Sequence, residues 1–472
     1  MNSHRGPGLF VLGLFLCTRI CSFLHLFSVC LTRPSHQGFA EILPILKTFL
    51  ALSNSKLNPI LAAMLYASLK EHTMHKSIMS LTVAGLLSFT TASMAQADLP
   101  IKAPAGVLVE KIADLDTPRF LAFSKSGDMI VGSGAGQVFR LKAPYTESEV
   151  LVDFGSYPHS VAFREIGGVE ELWIGDTVGI YKAAYNSTKS YAKADFELVA
   201  ALPGGSGHSS RTVKVREDGT VFVSLGIAGN CSPQFLGNSF AEGDRRGGIY
   251  RLDESVTPAK LVPFGTGLRN PIGINFHPTT GVMYANNNGP DHWGFDAPRE
   301  VFVEVQDGDF FGMPWYQTIN GEVKVDSCAP QDKAPKPITD VEKSVATFDA
   351  RSAPMETLFV PQGYLKSEWA NSALVALHGS WAVPQGGGDA DRREPKIVLV
   401  EFADGKATGK VTDLLTGFQF ANGERFARPV GLAFGPDKAL YMTSDAENPG
   451  VYKVSLDARS AAPQATSEKK AK

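Results

Sequence analysis

Beyond residue 98 this sequence has no long segment of 3.6-residue periodicity, which excludes a helical architecture. It has no excess of positive charge. Its 45 Lys and Arg stand against 48 Asp and Glu, for a net charge of −3, so the totals give no reason to expect nucleic acid as a partner. It is not polar enough for disorder, with 44% hydrophobic and 20% charged residues. Cysteine is scarce: of five, only Cys231 and Cys328 lie beyond residue 97. No cysteine follows the small-residue stretch Ala95-Gln96-Ala97, which excludes a bacterial lipoprotein anchor there. At 472 residues, length alone allows one large domain or two to three ordinary ones.

The first hundred residues differ from the rest. Met74 opens a basic start (His75, Lys76), an apolar stretch from Ile78 to Phe89, and a cleavage-like Ala95-Gln96-Ala97. That is the pattern of a secretory signal peptide over 74–97, with 1–73 an over-long extension. Gly8 to Leu31 is the competing feature. It is long enough to span a membrane, although Cys17, Arg19 and Cys21 interrupt it. Without 1–97 the chain keeps 38 basic and 46 acidic side chains, a net charge of −8. The expected setting is periplasmic, with no stable membrane insertion. In such an oxidising compartment Cys231 and Cys328 form an even pair that can stand as a disulfide or as two thiols.

What is present from there on is a repeat. "RFLAFSKSGDMIVGSGAGQVFRL" starts at Arg119, "HSVAFREIGGVEELWIGDTVGIYKA" at His159 and "RTVKVREDGTVFVSLG" at Arg211. "NPIGINFHPTTGVMYANNNG" starts at Asn270, "SAPMETLFVPQGYLKSEWANSALVALHGSW" at Ser352 and "RPVGLAFGPDKALYMTSDAENPGVYKV" at Arg428. Each runs strand, turn, strand, loop, strand, with period-two alternation. The turns are Ser126-Gly127, Asp218-Gly219, Thr280-Gly281 and Pro436-Asp437. Repeats of about forty residues built from short strands read as propeller blades, here an all-β, six-bladed β-propeller over 98–456. A two-sheet sandwich is the alternative; the count and regularity of the units favour the propeller. Long inserts fall at Ile227–Arg246 and Asp309–Asp349, and Asp457–Lys472 reads as a disordered tail.

In a propeller the first strand of each blade lines a central channel, so the residues just before it ring the channel mouth. Those positions hold Arg119, His159, His208 with Arg211, Arg269 with Asn270, Arg351 and Arg428. His208 and Arg269 stand at the same offset, seven residues ahead of Val215 and Phe276. Solvated loop positions are the plain alternative for any one of them. A base or imidazole at every entrance of an acidic protein points to an anion site. After the fourth entrance, "NNNGPDHWGFDAPRE" offers carbonyls around Gly289 and Pro290 and carboxylates at Asp291, Asp296 and Glu300. Such an oxygen-rich loop suits Ca2+, although its spacing is not that of an EF-hand; an Asx-rich turn is the other reading. Phe310, Phe311, Trp315 and Tyr316 read as core, and Trp293, inside the polar loop, as a site candidate.

The segments "GSGHSSRTVKV", "GLRNPIGINFHPTTGVMYANNNGPD", "REVFVEVQDGDFFGMPW", "SAPMETLFV", "HGSW" and "RPVGLAFGPDKALYMTSD" resemble the glucose/sorbosone dehydrogenase family over nearly all of 105–456. The resemblance implies a six-bladed propeller quinoprotein using pyrroloquinoline quinone (PQQ) and Ca2+. It implies that His208 is the general base, that Arg269 and Asn270 contact the quinone, and that Arg428 grips a cofactor carboxylate. Arg351 and Trp293 complete the expected cofactor contacts. Gly289, Pro290, Asp291 and Glu300 are the expected metal ligands. The chain departs from the family's pattern at Pro290, where Arg is usual, at Arg351, where His is usual, and after Trp381, where an Arg often follows.

The expected chemistry follows from charge and geometry. PQQ is a flat tricarboxylate, matched by arginines in charge and, through bidentate pairs, in shape. The substrate is expected to be an aldose sugar or a sorbosone-like sugar aldehyde. It would lose its hydroxyl proton to His208 as hydride leaves the same carbon, with Arg269 and Ca2+ polarising the acceptor. An external electron acceptor, a cytochrome or a quinone, would reoxidise the cofactor. A Ca2+-dependent propeller lactonase and a non-catalytic binding propeller are the rival readings.

Overall fold

Short turns set the blades. Gly127, Gly219 and Gly281 adopt φ of 85°, 85° and 68°. They sit between the first and second strands of their units, where only a residue without Cβ takes the left-handed backbone without strain. In the last unit Lys438 (φ 64°) takes that place, and the Asp437 carboxylate accepts the Ala439 N–H at 3.2 Å. The computed structural model built from these hairpins is a six-bladed β-propeller. It describes residues 99–204, 207–232 and 245–457, all within the second of the chain's two units, Ala97–Lys472. The extension over 1–73, the signal stretch over 74–97 and the tail beyond Asp457 lie outside the described residues. Among the described residues no helix is long and apolar enough to cross a membrane.

The inner strands are Pro118–Phe123, Ser160–Ile166, Arg211–Val215, Ile274–Phe276, Pro354–Phe359 and Pro429–Phe434. Each contacts the next, and the last contacts the first, so they close a ring. Each blade has four antiparallel strands; blade three adds Asp309–Phe310, parallel to Lys260–Thr266. Blade six takes its outermost strand from the other end of the propeller. Val107–Asp114 pairs with Gly450–Leu456, from Val107 opposite Leu456 to Asp114 opposite Gly450. A Cβ added to Gly431 would stand 2.5 Å from the Arg119 carbonyl, which also accepts the Thr443 hydroxyl at 2.6 Å. The seam between blades six and one is therefore built at backbone contact distance.

Two features differ from the sequence expectation. The second strands do not alternate. Met129–Ser133, Val221–Leu225, Met283–Asn287, Ala373–Leu377 and Leu440–Ser444 are buried at every residue. The reason is that both faces are covered. Met129 and Val131 pack with Tyr441 and Val451 of blade six, while Ile130 packs with Leu172 and Ile174 of blade two. The fourth strands are the second difference: Ser148–Asp153 and Lys406–Leu415 are mostly exposed, and Ala346–Phe348 is only three residues long. The blade-four insert forms a hairpin, Tyr316–Ile319 with Glu322–Val325. Beside it Phe310, Trp315 and Tyr316 form a small core of their own. Cys231 and Cys328 are joined by a disulfide that ties the blade-three loop to this insert.

Candidate active site at the propeller mouth

The entrances of the inner strands are hydrogen-bonded to one another around one opening. Arg119 Nε donates to His159 Nδ1 at 3.3 Å, and the Ser160 hydroxyl to the Arg211 carbonyl at 2.8 Å. Thr212 Oγ1 donates to the Ile272 carbonyl at 2.6 Å. Asn288 Nδ2 donates to the carbonyls of Asn270 and Pro354, at 3.2 and 3.0 Å. The His378 amide donates to the Ala353 carbonyl, and Arg428 Nε to the His378 carbonyl at 3.0 Å. Thr443 closes the circle onto Arg119. Arg119, His159, Arg211, Arg269, Asn270, Arg351 and Arg428 are all buried. The structure thus brings the sequence-derived collar together at one end of the channel.

On the side of blades three and four the guanidiniums are tied to backbone. Loops leave carbonyls without a ladder partner, and arginine, with five donors, is suited to several at once. Arg211 donates to the carbonyls of Pro203, His208 and Ser210. Arg246 donates to those of Gly204, His208, Gly226 and Ile227. Arg269 donates to the Asn230 carbonyl and side chain, both at 2.9 Å, and to the Asn288 carbonyl at 3.3 Å.

Within this frame His208 Nδ1 lies 2.7 Å from the Ile227 carbonyl. A carbonyl only accepts, so Nδ1 carries the proton and Nε2 is left with its lone pair. Burial, with Arg269 and Arg246 nearby, pushes His208 down to about 4, so the imidazole is neutral at physiological pH. Gly226 keeps His208 and Asn270 side by side: a Cβ there would meet Asn270 Oδ1 at 2.4 Å and His208 Cβ at 2.5 Å.

The side formed by blades five, six and one is built differently. His378 Nε2 and Asp445 Oδ1 are 2.7 Å apart, and Asp445 also pairs with Arg119. Burial alone would raise Asp445, but His378, Arg119 and Arg428 outweigh it and hold its carboxyl well below the usual range. Burial likewise takes His378 down to about 4 in spite of its carboxylate partner. The Arg428 guanidinium lies 4.1 Å from the centre of the Trp381 ring and Arg425 5.6 Å from it. The Trp381 indole is 69% exposed. Arg425 Nη1 and His159 Nε2 are buried with no hydrogen-bond partner. Burial lowers Arg428 to about 9, still cationic at neutral pH. Two stacked cations, an open indole face and an unpartnered donor fit a flat polyanion.

Much of the expected metal loop is engaged by protein donors. The Pro290 carbonyl accepts from Arg351 Nη1 at 2.7 Å, and Asp291 Oδ1 is 2.9 Å from the same nitrogen. Glu300 is buried and faces inward. Its carboxylate accepts the amides of Gly289 at 2.5 Å and Arg351 at 2.8 Å, and burial pushes it up to about 7. Arg351 and Trp293, the other expected cofactor contacts, are engaged by protein groups. Arg351 is turned into the 290–297 loop, and the Trp293 N–H is held by Asp326 Oδ2 of the insert at 3.1 Å. Asp296 pairs with Arg393 on the surface.

Sequence reasoning did not pick out Arg425, Trp381, His378, Asp445, Arg246 or Asn230 as site residues. Three of them lie inside segments that carried the family resemblance, "HGSW" and "RPVGLAFGPDKALYMTSD". Arg425 precedes Arg428 by three residues in "ERFARP", a signal that could have been read. Nothing local marks Asn230, whose role depends on a contact 39 residues away.

The chain is a member of the TrAA12-like family, whose model matches residues 101–307 and 303–455. It is similar to a family AA12 carbohydrate-active enzyme of Trichoderma reesei, at 21% identity over 77% of this chain and 100% of that one, with a TM-score of 0.63. It is similar to the PQQ domain of pyranose dehydrogenase from Coprinopsis cinerea, at 19% identity, 76% and 98% coverage and a TM-score of 0.62. The soluble aldose sugar dehydrogenase of Escherichia coli matches at 17% identity, 74% and 99% coverage and a TM-score of 0.54. At these identities the likeness to the solved structures is one of fold.

Proposed function

We propose that this protein is a PQQ-dependent dehydrogenase that oxidises an aldose sugar or a sugar aldehyde. The observation that carries the reading is the Arg425–Arg428–Trp381 face of the mouth, flat and cationic, with a donor left unpartnered. Membership of the TrAA12-like family supports it. PQQ, when bound, supplies the hydride acceptor. Arg425 and Arg428 would hold its carboxylates and Trp381 its face. Arg269 and Asn270 would meet its polar edge, on the side where His208 stands. His208 Nε2 would take the proton from the substrate's hydroxyl oxygen as the carbon bearing that hydroxyl gives up hydride, leaving a carbonyl. Arg269, held by Asn230 and Asn288, presents fixed positive charge there without reorganising.

Ca2+ is not needed in this reading, since the Arg351 guanidinium already meets two of the oxygens expected to bind it, those of Pro290 and Asp291. The Cys231–Cys328 disulfide supports an oxidising compartment, which we propose is the periplasm, with an external cytochrome or quinone as electron acceptor. The test is addition of PQQ to the purified protein, with dye reduction followed across a panel of aldoses and sugar aldehydes. An absorbance change with sugar-dependent dye reduction is expected. Lactone hydrolysis without PQQ, or sugar binding with no dye reduction, would replace this reading with one of its rivals.

A further inference from the structure

The stretch 289–297 has the composition of a calcium loop, and its oxygens do converge, but on a side chain. Arg351 Nη1 meets the Pro290 carbonyl at 2.7 Å and Asp291 Oδ1 at 2.9 Å. Arg351 Nη2 meets the carbonyls of Gly294 and Ala297, the latter at 3.0 Å. The two terminal nitrogens of the guanidinium thus face four oxygens, three carbonyls through hydrogen bonds and the Asp291 carboxylate as an ion pair. Three carbonyls and one carboxylate are the hard oxygen donors that a loop offers to a divalent cation.

Arg351 is itself fixed. Its backbone lies in the left-handed region at φ 71°, which is uncommon for a residue with a Cβ. Its amide donates to Glu300 Oε1, while Glu300 Oε2 accepts the Gly289 amide, so one buried carboxylate clamps both the start of the loop and the residue that fills it. The loop in turn reaches the mouth. The Asp291 amide donates to Asn230 Oδ1 at 2.8 Å, and the same Asn230 holds Arg269.

We infer that Arg351 is the resident cation of the 289–297 loop, standing where a divalent metal would otherwise sit, so that the protein neither binds Ca2+ there nor needs it to hold Arg269 in place. A metal ion brought among the same oxygens would face a buried positive charge at close range, which opposes its binding. This inference concerns the protein without cofactor and does not depend on the proposed dehydrogenase activity.

The test uses the full chain without PQQ. Calcium titration calorimetry on chelator-treated wild type is expected to show no site at this loop. Millimolar CaCl2 and excess EGTA are expected to give the same Tm, whereas saturation of a tight calcium site would raise it by about 4 °C. Arg351→Gly relieves the backbone and opens the four-oxygen cage. It is expected to lower Tm in EGTA, and Ca2+ or methylguanidinium is expected to restore most of the loss. Two results would overturn the inference. One is a wild-type calcium site that disappears in Asp291→Asn, a substitution at an exposed side chain. The other is destabilisation of Arg351→Gly that neither cation reverses. If Arg351→Gly does not fold, the calorimetry on wild type and Asp291→Asn decides alone.

Discussion

On the side of blades three and four, Arg211, Arg246, Arg269 and Arg351 point most of their donors into loop carbonyls, although Arg211 Nε is buried without a partner. On the side of blades five, six and one, Arg428 and Arg425 also donate to the carbonyls of His378, Gly379 and Ser380, but Arg425 keeps one buried donor unpartnered and Arg428 lies against an open indole. The same residue type makes shape on one side and a binding face on the other. The difference lies in what surrounds it. Blade three and blade four carry long loops whose carbonyls need partners, and arginine meets that need. Blades five and six carry long loops too, at 378–395 and 416–428, and their carbonyls at His378 and Gly379 take donors of Arg428, but Arg425 Nη1 is left over beside the exposed Trp381. A count of arginines at a channel mouth therefore does not measure how much of it can hold an anion.

The largest test of this division is His208→Ala. It removes the proton acceptor but none of the Arg425–Arg428–Trp381 face. Turnover is expected to fall by about 10²–10⁴-fold, with PQQ affinity unchanged in a fluorescence titration; parallel losses in both would mean that His208 holds cofactor. Next in size is Arg428→Ala, expected to weaken PQQ binding by ~10–100-fold through loss of a charge-assisted contact. Arg269→Ala should weaken binding and turnover together, since its charge faces the reacting side. If Arg269→Ala matched wild type in both, the two sides would not be distinct.

Gly431→Ala probes the frame rather than either side. Its Cβ would push blade six off the Arg119 carbonyl, and urea unfolding is expected to show a loss of about 1–3 kcal/mol. An unchanged midpoint would mean that the seam is looser than its distances. The smallest effect concerns pH. His208 is pushed down to about 4 by burial and by Arg269, below its ordinary value near 6.5. The neutral, proton-accepting form persists as pH falls through 6.5 and is lost only as it nears 4. The acid limb of kcat/KM is expected near pH 4, and a limb near 6.5 would show that the imidazole is better solvated than the fold implies.

The propeller was legible because blades repeat their turn glycines and inner strands, and the ring of entrances followed from it. What was not legible were features set by burial on two faces or by distant contacts. The second strands lost their alternation because neighbouring blades cover both sides. Outer strands such as Lys406–Leu415 are mostly exposed and carry no continuous apolar pattern. In the site, His208, Arg269, Asn270 and Arg428 stood where the entrance rule put them. Arg351 obeyed the same rule, yet its side chain turned into the 290–297 loop, where three carbonyls and the Asp291 carboxylate meet it. Residue type and spacing show where a charge begins; the direction it points depends on which acceptors the tertiary fold brings within reach.

The most direct measurement is calorimetric titration of PQQ, in EGTA, into wild type and into the Arg425→Ala/Arg428→Ala double variant. The account predicts one PQQ bound per chain without calcium, and binding reduced at least about tenfold in the variant. No binding by wild type, or equal binding by both proteins, would contradict it.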